Sequence, residues 1–302
     1  MTVANYLGEI SAFGTVFCWV ICSIAFESAG KKIGSMPVNI IRLVMAFIFI
    51  SIFTLFSRGL FFPVDATPKS WFWLSLSGVV GLFIGDLCLF RAFVLIGSRI
   101  SLLIYSLAPP ISALLGFFMF KETMSIYAIV GMFITIFGIG LVILKKDNKR
   151  YKFSHPLEGV LLAIIGAVGQ AFGIGLSKLG MALESGGTYD PIASTQIRII
   201  SATVCFIILF FITKRWSYVF KSFKDLKAIG DVAIGSFFGP FIGVTLSLVA
   251  ITYTSMGIAS TITSILPVAI IVPHVFIYKT KIFKREVFGA IVAVFGVSLL
   301  FI

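Results

Sequence analysis

Asp86, Glu27, Lys178, His274 and the arginines Arg42, Arg91 and Arg198 stand inside, or at the edges of, long apolar runs. An ionisable side chain at the centre of a bilayer costs about 2.5–3.5 kcal/mol on insertion scales, so each is a candidate for binding, coupling or ion pairing. Asp86 is followed five residues later by Arg91, about 140° around a helix, which a long arginine can still reach. That spacing is compatible with a structural ion pair or with a titrating carboxylate that couples protons or cations. Trp19, Ser23 and Glu27 are spaced by four along one helix face, and so are Gln170, Ile174 and Lys178. Glu27 and Lys178, of opposite sign, can pair across a central cavity or hold a zwitterion; both also stand near the ends of their runs, where snorkelling accommodates charge. Arg42 and Arg198 read as helix-end anchors reaching headgroups, or as sites for an anion. His274, after Pro273, is a proton relay or simply a hydrogen-bonded core histidine. Tyr105 and Tyr253 are candidates for lining a cavity.

Other chemistries lack their residues. The four cysteines, Cys18, Cys22, Cys88 and Cys205, show no paired metal-ligand spacing and read as packed thiols, so no metal and no cofactor is expected. The two histidines, His155 and His274, lie in separate segments, and no loop carries two closely spaced carboxylates suited to Mg²⁺. A phosphate-cradling Walker loop is absent as well. These absences argue against the rival reading, an integral-membrane enzyme acting on lipid-linked substrates. A lipid-handling protein without a small solute stays open as a third reading.

The elements that must position these residues follow from composition. Of 302 residues, 59% are hydrophobic and 12% charged, with a mean hydropathy of +1.10. A soluble domain carries about 25% charged residues, so lipid is the solvent for most of this chain. Ten apolar runs are long enough, or nearly so, to span a bilayer: Leu7–Phe26, Val38–Phe56, Trp71–Ile96, Ile100–Phe120, Ile126–Leu144, Leu157–Leu176, Ile192–Thr213, Val232–Ala250, Ile258–Tyr278 and Val287–Ile302. Continuous apolar runs without alternation select helices. The fold class expected is therefore all-α integral membrane with ten transmembrane helices.

The net charge of +12 resides mostly in the connections. No basic stretch carries a reading motif, so nucleic acid is not expected as a partner. Numbering the loops one to nine, the odd loops hold 17 Lys and Arg and the even loops 4. The positive-inside rule then places the odd loops in the cytoplasm and both termini outside the cell membrane.

Shifting the chain by 158 residues lays its second half on its first. Ser77, Gly81 and Gly85 fall on Gly235, Gly239 and Gly243, within the strings GLFIG and GPFIG. Pro109 falls on Pro267, Gly131 on Gly289 and Gly138 on Gly296. The offset is 156 for Arg42 and Arg198 and 151 for Gly8 and Gly159. Five helices per copy is an odd number, so the copies enter the membrane in opposite directions, as in secondary transporters. The units expected are 1–146 and 157–302, two inverted five-helix repeats joined by a basic linker, 147–156.

The same residues carry a family resemblance. Ala92–Leu103 (AFVLIGSRISLL), Leu107-Ala-Pro109, Phe120-Lys-Glu-Thr123, Gly131 and Gly138, with Ala250–Ser260 (AITYTSMGIAS), Leu266-Pro267, Gly289 and Gly296, resemble the ten-helix, EamA-type members of the drug/metabolite transporter superfamily over nearly the whole chain. Arg42, Arg198 and Trp19 fit the pattern too. Thr280 stands where the family has an acid, and Asp86 where it usually has a neutral residue. The resemblance implies secondary transport of a small, amino-acid-like or other organic metabolite by alternating access, with proton coupling and efflux within the family's range. It also implies both termini in the cytoplasm, opposite to the charge count. Small solute and lipid are the partners expected; a homodimer is left open.

Overall fold

The computed structural model describes residues 6–120, 125–147, 150–153, 156–184, 186–254, 256–279 and 283–300. Helix α1 (Leu7–Ile33) is separated from α2 (Ser35–Arg58) by Gly34, whose φ of 86° breaks the helix where a side chain would be strained. Helix α3 (Pro68–Ser77), capped by the Thr67 hydroxyl, passes into a π-helical segment, Gly78–Gly85, and then α4 (Asp86–Tyr105). Then come α5 (Ala108–Phe120), α6 (Ile126–Ile143), a two-stranded antiparallel hairpin of β1 (Leu144–Asp147) and β2 (Arg150–Phe153), and α7 (Leu157–Met181). Asp190 accepts from the Ala193 N–H to cap α8 (Pro191–Thr213), with proline at its first position. A short α9 (Trp216–Ser222) leads to α10 (Leu226–Ser236), a second π-helical segment, Phe237–Gly243, and α11 (Val244–Tyr253). The chain finishes through α12 (Met256–Thr263), α13 (Leu266–Ala269), α14 (Ile271–Tyr278) and α15 (Lys284–Leu299).

Among the described residues, 8 helical stretches are long and apolar enough to cross a membrane. Large apolar side chains cover the outside, with Phe56 85%, Phe276 79% and Phe118 74% exposed. Lipid is the solvent that makes such a surface stable. The chain is an all-α, multi-pass membrane protein.

The difference from the ten runs has local causes. Pro68–Tyr105 is one helical stretch of 38 residues, nearly twice a span, and Gly97 (φ 80°, ψ 156°) divides it. Beyond Tyr105 the chain turns through Ser106 and Leu107 before α5, because Pro109 and Pro110 cannot donate helical hydrogen bonds. The second half breaks at matching places: an extended Thr254 before α12, and a turn at Ser264–Ile265 before Pro267 in α13. The last helix, α15, has 16 residues.

Glycines set the close approaches. A Cβ at Gly131 would stand 2.5 Å from the Gly296 carbonyl, and one at Gly138 would stand 2.7 Å from that of Gly289. Helices α6 and α15 thus meet backbone to backbone along an antiparallel seam of small residues. The seam is self-complementary: shifting 131–296 by 158 residues on one side and back on the other gives 289–138.

The remaining contacts obey the same exchange. Gly81 and Gly85 of the first π segment lie against Gly173 and Gly169 of α7, while Gly239 and Gly243 of the second lie against Cys22 and Trp19 of α1. At offset 151, Trp19 matches Gln170 and Cys22 matches Gly173. Both helix pairs run antiparallel.

Candidate functional site

Where α1 and α7 face the broken helices, two adjoining cavities open, one of ≈ 80 Å³ and one of ≈ 70 Å³. They share Trp19, Tyr105, Gln170, Leu102 and Leu266 as common walls. The larger continues past Ser106, Pro109 and Ser112 of one half and Thr263, Ser264 and Pro267 of the other, so the helix breaks face the void. Unwound backbone is tolerated at membrane depth where it lines such a cavity. The smaller cavity is walled by Cys22, Ser23, Phe26, Phe90, Arg42 and Asp86. Trp19 and Gln170, placed by repeat arithmetic as mates, meet at the junction, and Tyr105 joins them.

Asp86 pairs differently from the sequence expectation. Its Oδ2 accepts from Arg42 Nη2 at 2.7 Å, and Arg91 pairs instead with Glu158 at 3.5 Å, half exposed. Five helical residues carry Arg91 away from the Asp86 face, and α2 supplies the cation there. Arg42 is no headgroup anchor: it is 2% exposed, bonded also to Asn39 Oδ1 and the Leu82 carbonyl, with its guanidinium 4.5 Å from the Phe90 ring centroid. The π-helical segment contributes to this placement, since Asp86 N–H donates to the Gly81 carbonyl, five residues back.

Arg198 is likewise 2% exposed and not a surface anchor. Its Nη2 lies 3.4 Å from where a Cβ would stand on Gly81, and it interacts electrostatically with Asp86 and Tyr105. Unlike Arg42 it makes no ion pair among the described residues, and its Nε has no hydrogen-bond partner.

Glu27 forms the second cluster, and the expected Glu27–Lys178 pair does not form. Glu27 is 1% exposed, a carboxylate buried in a span as Asp86 is. It accepts from Ser98 N at 2.7 Å, Ser98 Oγ at 2.5 Å and Lys31 Nζ at 2.5 Å, and meets His274 Nε2 at 3.2 Å. This knot ties α1 and α4 of the first half to α14 of the second. The Tyr278 ring lies tilted against His274 at 4.6 Å between centroids, sits under Lys31 and donates to the Ile24 carbonyl. Glu27 stands eight residues beyond Trp19, about 12 Å along α1 toward its odd-loop end. Gly97 packs against it, and its positive φ turns the Ser98 N–H onto the carboxylate. Lys178, its repeat mate, is exposed, and Tyr253 is 64% exposed away from both cavities.

Ser98 and Lys31 escaped the sequence reading. The Glu27/Lys31 spacing of four is a legible helix pair, and the Gly97-Ser98 dipeptide is a legible helix break; their convergence with His274 is not. No group of three or more His, Cys, Asp or Glu able to hold a metal occurs among the described residues.

The EamA-like transporter family matches the chain over residues 6–144 and 157–302, on either side of the hairpin. No curated protein matches the sequence significantly. One solved crystal structure is similar in fold, with a TM-score of 0.65 at 14% identity, covering 97% of this chain and 95% of that one. The two matched segments take in nearly every described helix, and the chain belongs to the EamA-like transporter family of the drug/metabolite transporter superfamily, a family of membrane transporters of small solutes rather than enzymes.

Proposed function

We propose that this protein is a secondary active transporter of the cell membrane, moving a small organic solute by alternating access through the cavity shared by Trp19, Tyr105 and Gln170. Its ten spans form two inverted five-helix repeats, 1–146 and 157–302, with α5 completing the fourth span, α12–α14 forming the ninth and α15 the tenth; residues 147–156 link the copies. The observation that carries the reading is the exchange pattern of the contacts. Antiparallel α1 packs on the second π segment as α7 packs on the first, and α6 packs on α15 through a self-complementary seam. Two halves related in this way can rock against each other about that seam while the cavity stays between them.

The Glu27 knot closes the odd-loop end of the cavity in this conformation, and its release is the opening step toward that side. Glu27, with His274, Lys31, Ser98 and Tyr278 around it, is the group whose bonds must break for that opening; Asp86 is held by Arg42. The odd loops face the cytoplasm.

Purified protein screened by thermal shift against amino acids and other small metabolites should show stabilisation by a narrow set, because a ligand stabilises the state it binds. Members of that set should exchange across proteoliposomes, and Gln170→Ala should weaken both effects. No stabilising solute and no exchange would sink the reading. Single cysteines in 147–156 and 214–231 test the orientation: labelling of both from outside intact cells would reverse it.

A further inference from the structure

The stretch from the end of α8 to the start of α10 carries Lys214, Arg215, Lys221, Lys224 and Lys227, and the transport reading uses none of them. From Phe220 onward two rows run side by side with a spacing of three. Phe220, Phe223 and Leu226 make one row, and Lys221, Lys224 and Lys227 the other. All six side chains are exposed, while Val219, Ser222 and Ala228 turn inward. The segment therefore has a buried face, an apolar rim and a basic rim.

The apolar rim continues the lipid-facing end of α8. The Trp216 ring lies 5.4 Å from that of Phe211 and 6.3 Å from that of Phe220 between centroids, and Phe211 is 67% exposed. Aromatic rings gather at this level of a bilayer because one side is apolar and the other wet. Exposed phenylalanines beside lysines are stable where acyl chains meet headgroups, since each row then finds its own solvent.

The basic rim encloses space. Lys32 of α1, Lys221 of α9, Lys224 of the following turn and Lys227 of α10 line a surface cavity of ≈ 710 Å³, with Tyr218 and Leu226. The acid in its wall, Asp225, already accepts from the Ala228 N–H. Lys32 is answered by Asp231 at 2.8 Å, whereas Lys221, Lys224 and Lys227 have no acid partner among the described residues. Like charges around one cavity repel each other, and an anion seated between them relieves the repulsion.

We propose that this cavity and its apolar rim are the docking site of an anionic phospholipid, with the phosphate against Lys221, Lys224 and Lys227 and the acyl chains against Phe220, Phe223 and Leu226. The rim selects a lipid over a free phosphate, because a soluble anion gains nothing from exposed phenylalanines. Basic clusters beside a membrane helix draw anionic headgroups in this way. Lys32 belongs to α1 and Lys227 to α10, so one headgroup bridges the two elements. The site stands whether or not the protein transports a solute.

The full chain in detergent is titrated with phosphatidylglycerol and phosphatidylcholine, and bound lipid is counted by native mass spectrometry. Phosphatidylglycerol should bind in preference, and less so in high salt. Each lysine near an anionic lipid surface contributes about fivefold in affinity. The variant Lys221→Gln/Lys224→Gln/Lys227→Gln should therefore bind phosphatidylglycerol about a hundredfold more weakly. A control, Lys145→Gln/Lys149→Gln/Lys152→Gln, removes the same charge from the linker between the repeats and should keep the preference. Phe220→Ser/Phe223→Ser leaves the charge unchanged and should still weaken binding. The replaced side chains of 220–227 are exposed, so unfolding in phosphatidylcholine micelles should match wild type.

An undiminished preference in the 221/224/227 variant would overturn the site. Equal loss in the linker variant would reduce the preference to net charge and overturn it as well. Displacement of the lipid by equimolar inorganic phosphate or glycerol 3-phosphate, or indifference to Phe220→Ser/Phe223→Ser, would mark a free-anion site and overturn the lipid assignment.

Discussion

At the odd-loop end Glu27 is 1% exposed and every polar neighbour is turned onto it; at the other end Arg58, Asp65, Asp190 and Tyr189 form an ion cluster that water reaches, with Asp65 40% exposed. The second cluster has bonds as short as the first: Arg58 Nη2 to Asp65 Oδ2 is 2.6 Å, and the Tyr189 hydroxyl donates to Asp65 Oδ1 at 3.0 Å. Both join the two halves of the chain. They differ in what replaces a broken bond. Around Asp65 water takes the vacated sites, so the pairing is worth little; around Glu27 nothing does, so the same geometry is locked until the whole knot opens. Length of a bond is therefore a poor guide to its function here, and access to water a good one. The buried knot suits a gate with two states. The wet cluster suits a brace that holds α2 to the segment before α8 in both.

That contrast breaks first at Glu27. Glu27→Ala strands the Ser98 N–H, Lys31 and His274 together and should cost about 3–5 kcal/mol of stability. Unfolding in mixed micelles measures it; a loss no larger than that of Asp65→Asn would place the two clusters in one class. Asp65→Asn should cost about 1 kcal/mol or less, and the loss should shrink in high salt because exposed pairs are screened. A salt-insensitive loss would mean that the brace is sealed from water.

The smallest effect concerns Tyr189. Burial first, then the hydrogen bond to Asp65, raises its phenol above the usual range near 10. The protonated phenol is thus favoured in the folded state, so its contribution is complete below pH 10 and falls as pH climbs through the raised value. Tyr189→Phe should cost about 0.5–1.5 kcal/mol at neutral pH, with the gap to wild type closing in strong alkali. A gap independent of pH would assign the cost to packing.

Much of this site was legible before any fold was known, where the relation is local or repeated. Trp19 and Gln170 meet at the cavity because duplication puts equal positions on equal faces, and subtraction finds them. The arginines of α2 and α8 were legible as mates by the same arithmetic. Their environments were not. Arg91 was the plausible partner for Asp86 only because it is near in sequence; the true partner, Arg42, comes from 44 residues earlier, across a helix contact that no periodicity encodes. Lys178 failed as a partner for Glu27 for a related reason: it is exposed while Glu27 is 1% exposed, and opposite sign does not bring two side chains together.

The sequence by itself determined that this chain lives in lipid, that it is a duplicated helical protein and which glycines set its close seams, because hydropathy, repeat offset and the absence of a Cβ are properties of residues. Only the tertiary structure decided which charges are answered. A buried charge is stable or costly according to the atoms within a few ångströms, and in a bundle of long helices those atoms come from distant segments. Asn39, Leu82 and Asp86 satisfy Arg42; Ser98, Lys31 and His274 satisfy Glu27; and Arg198, mate of Arg42, has an Nε with no hydrogen-bond partner.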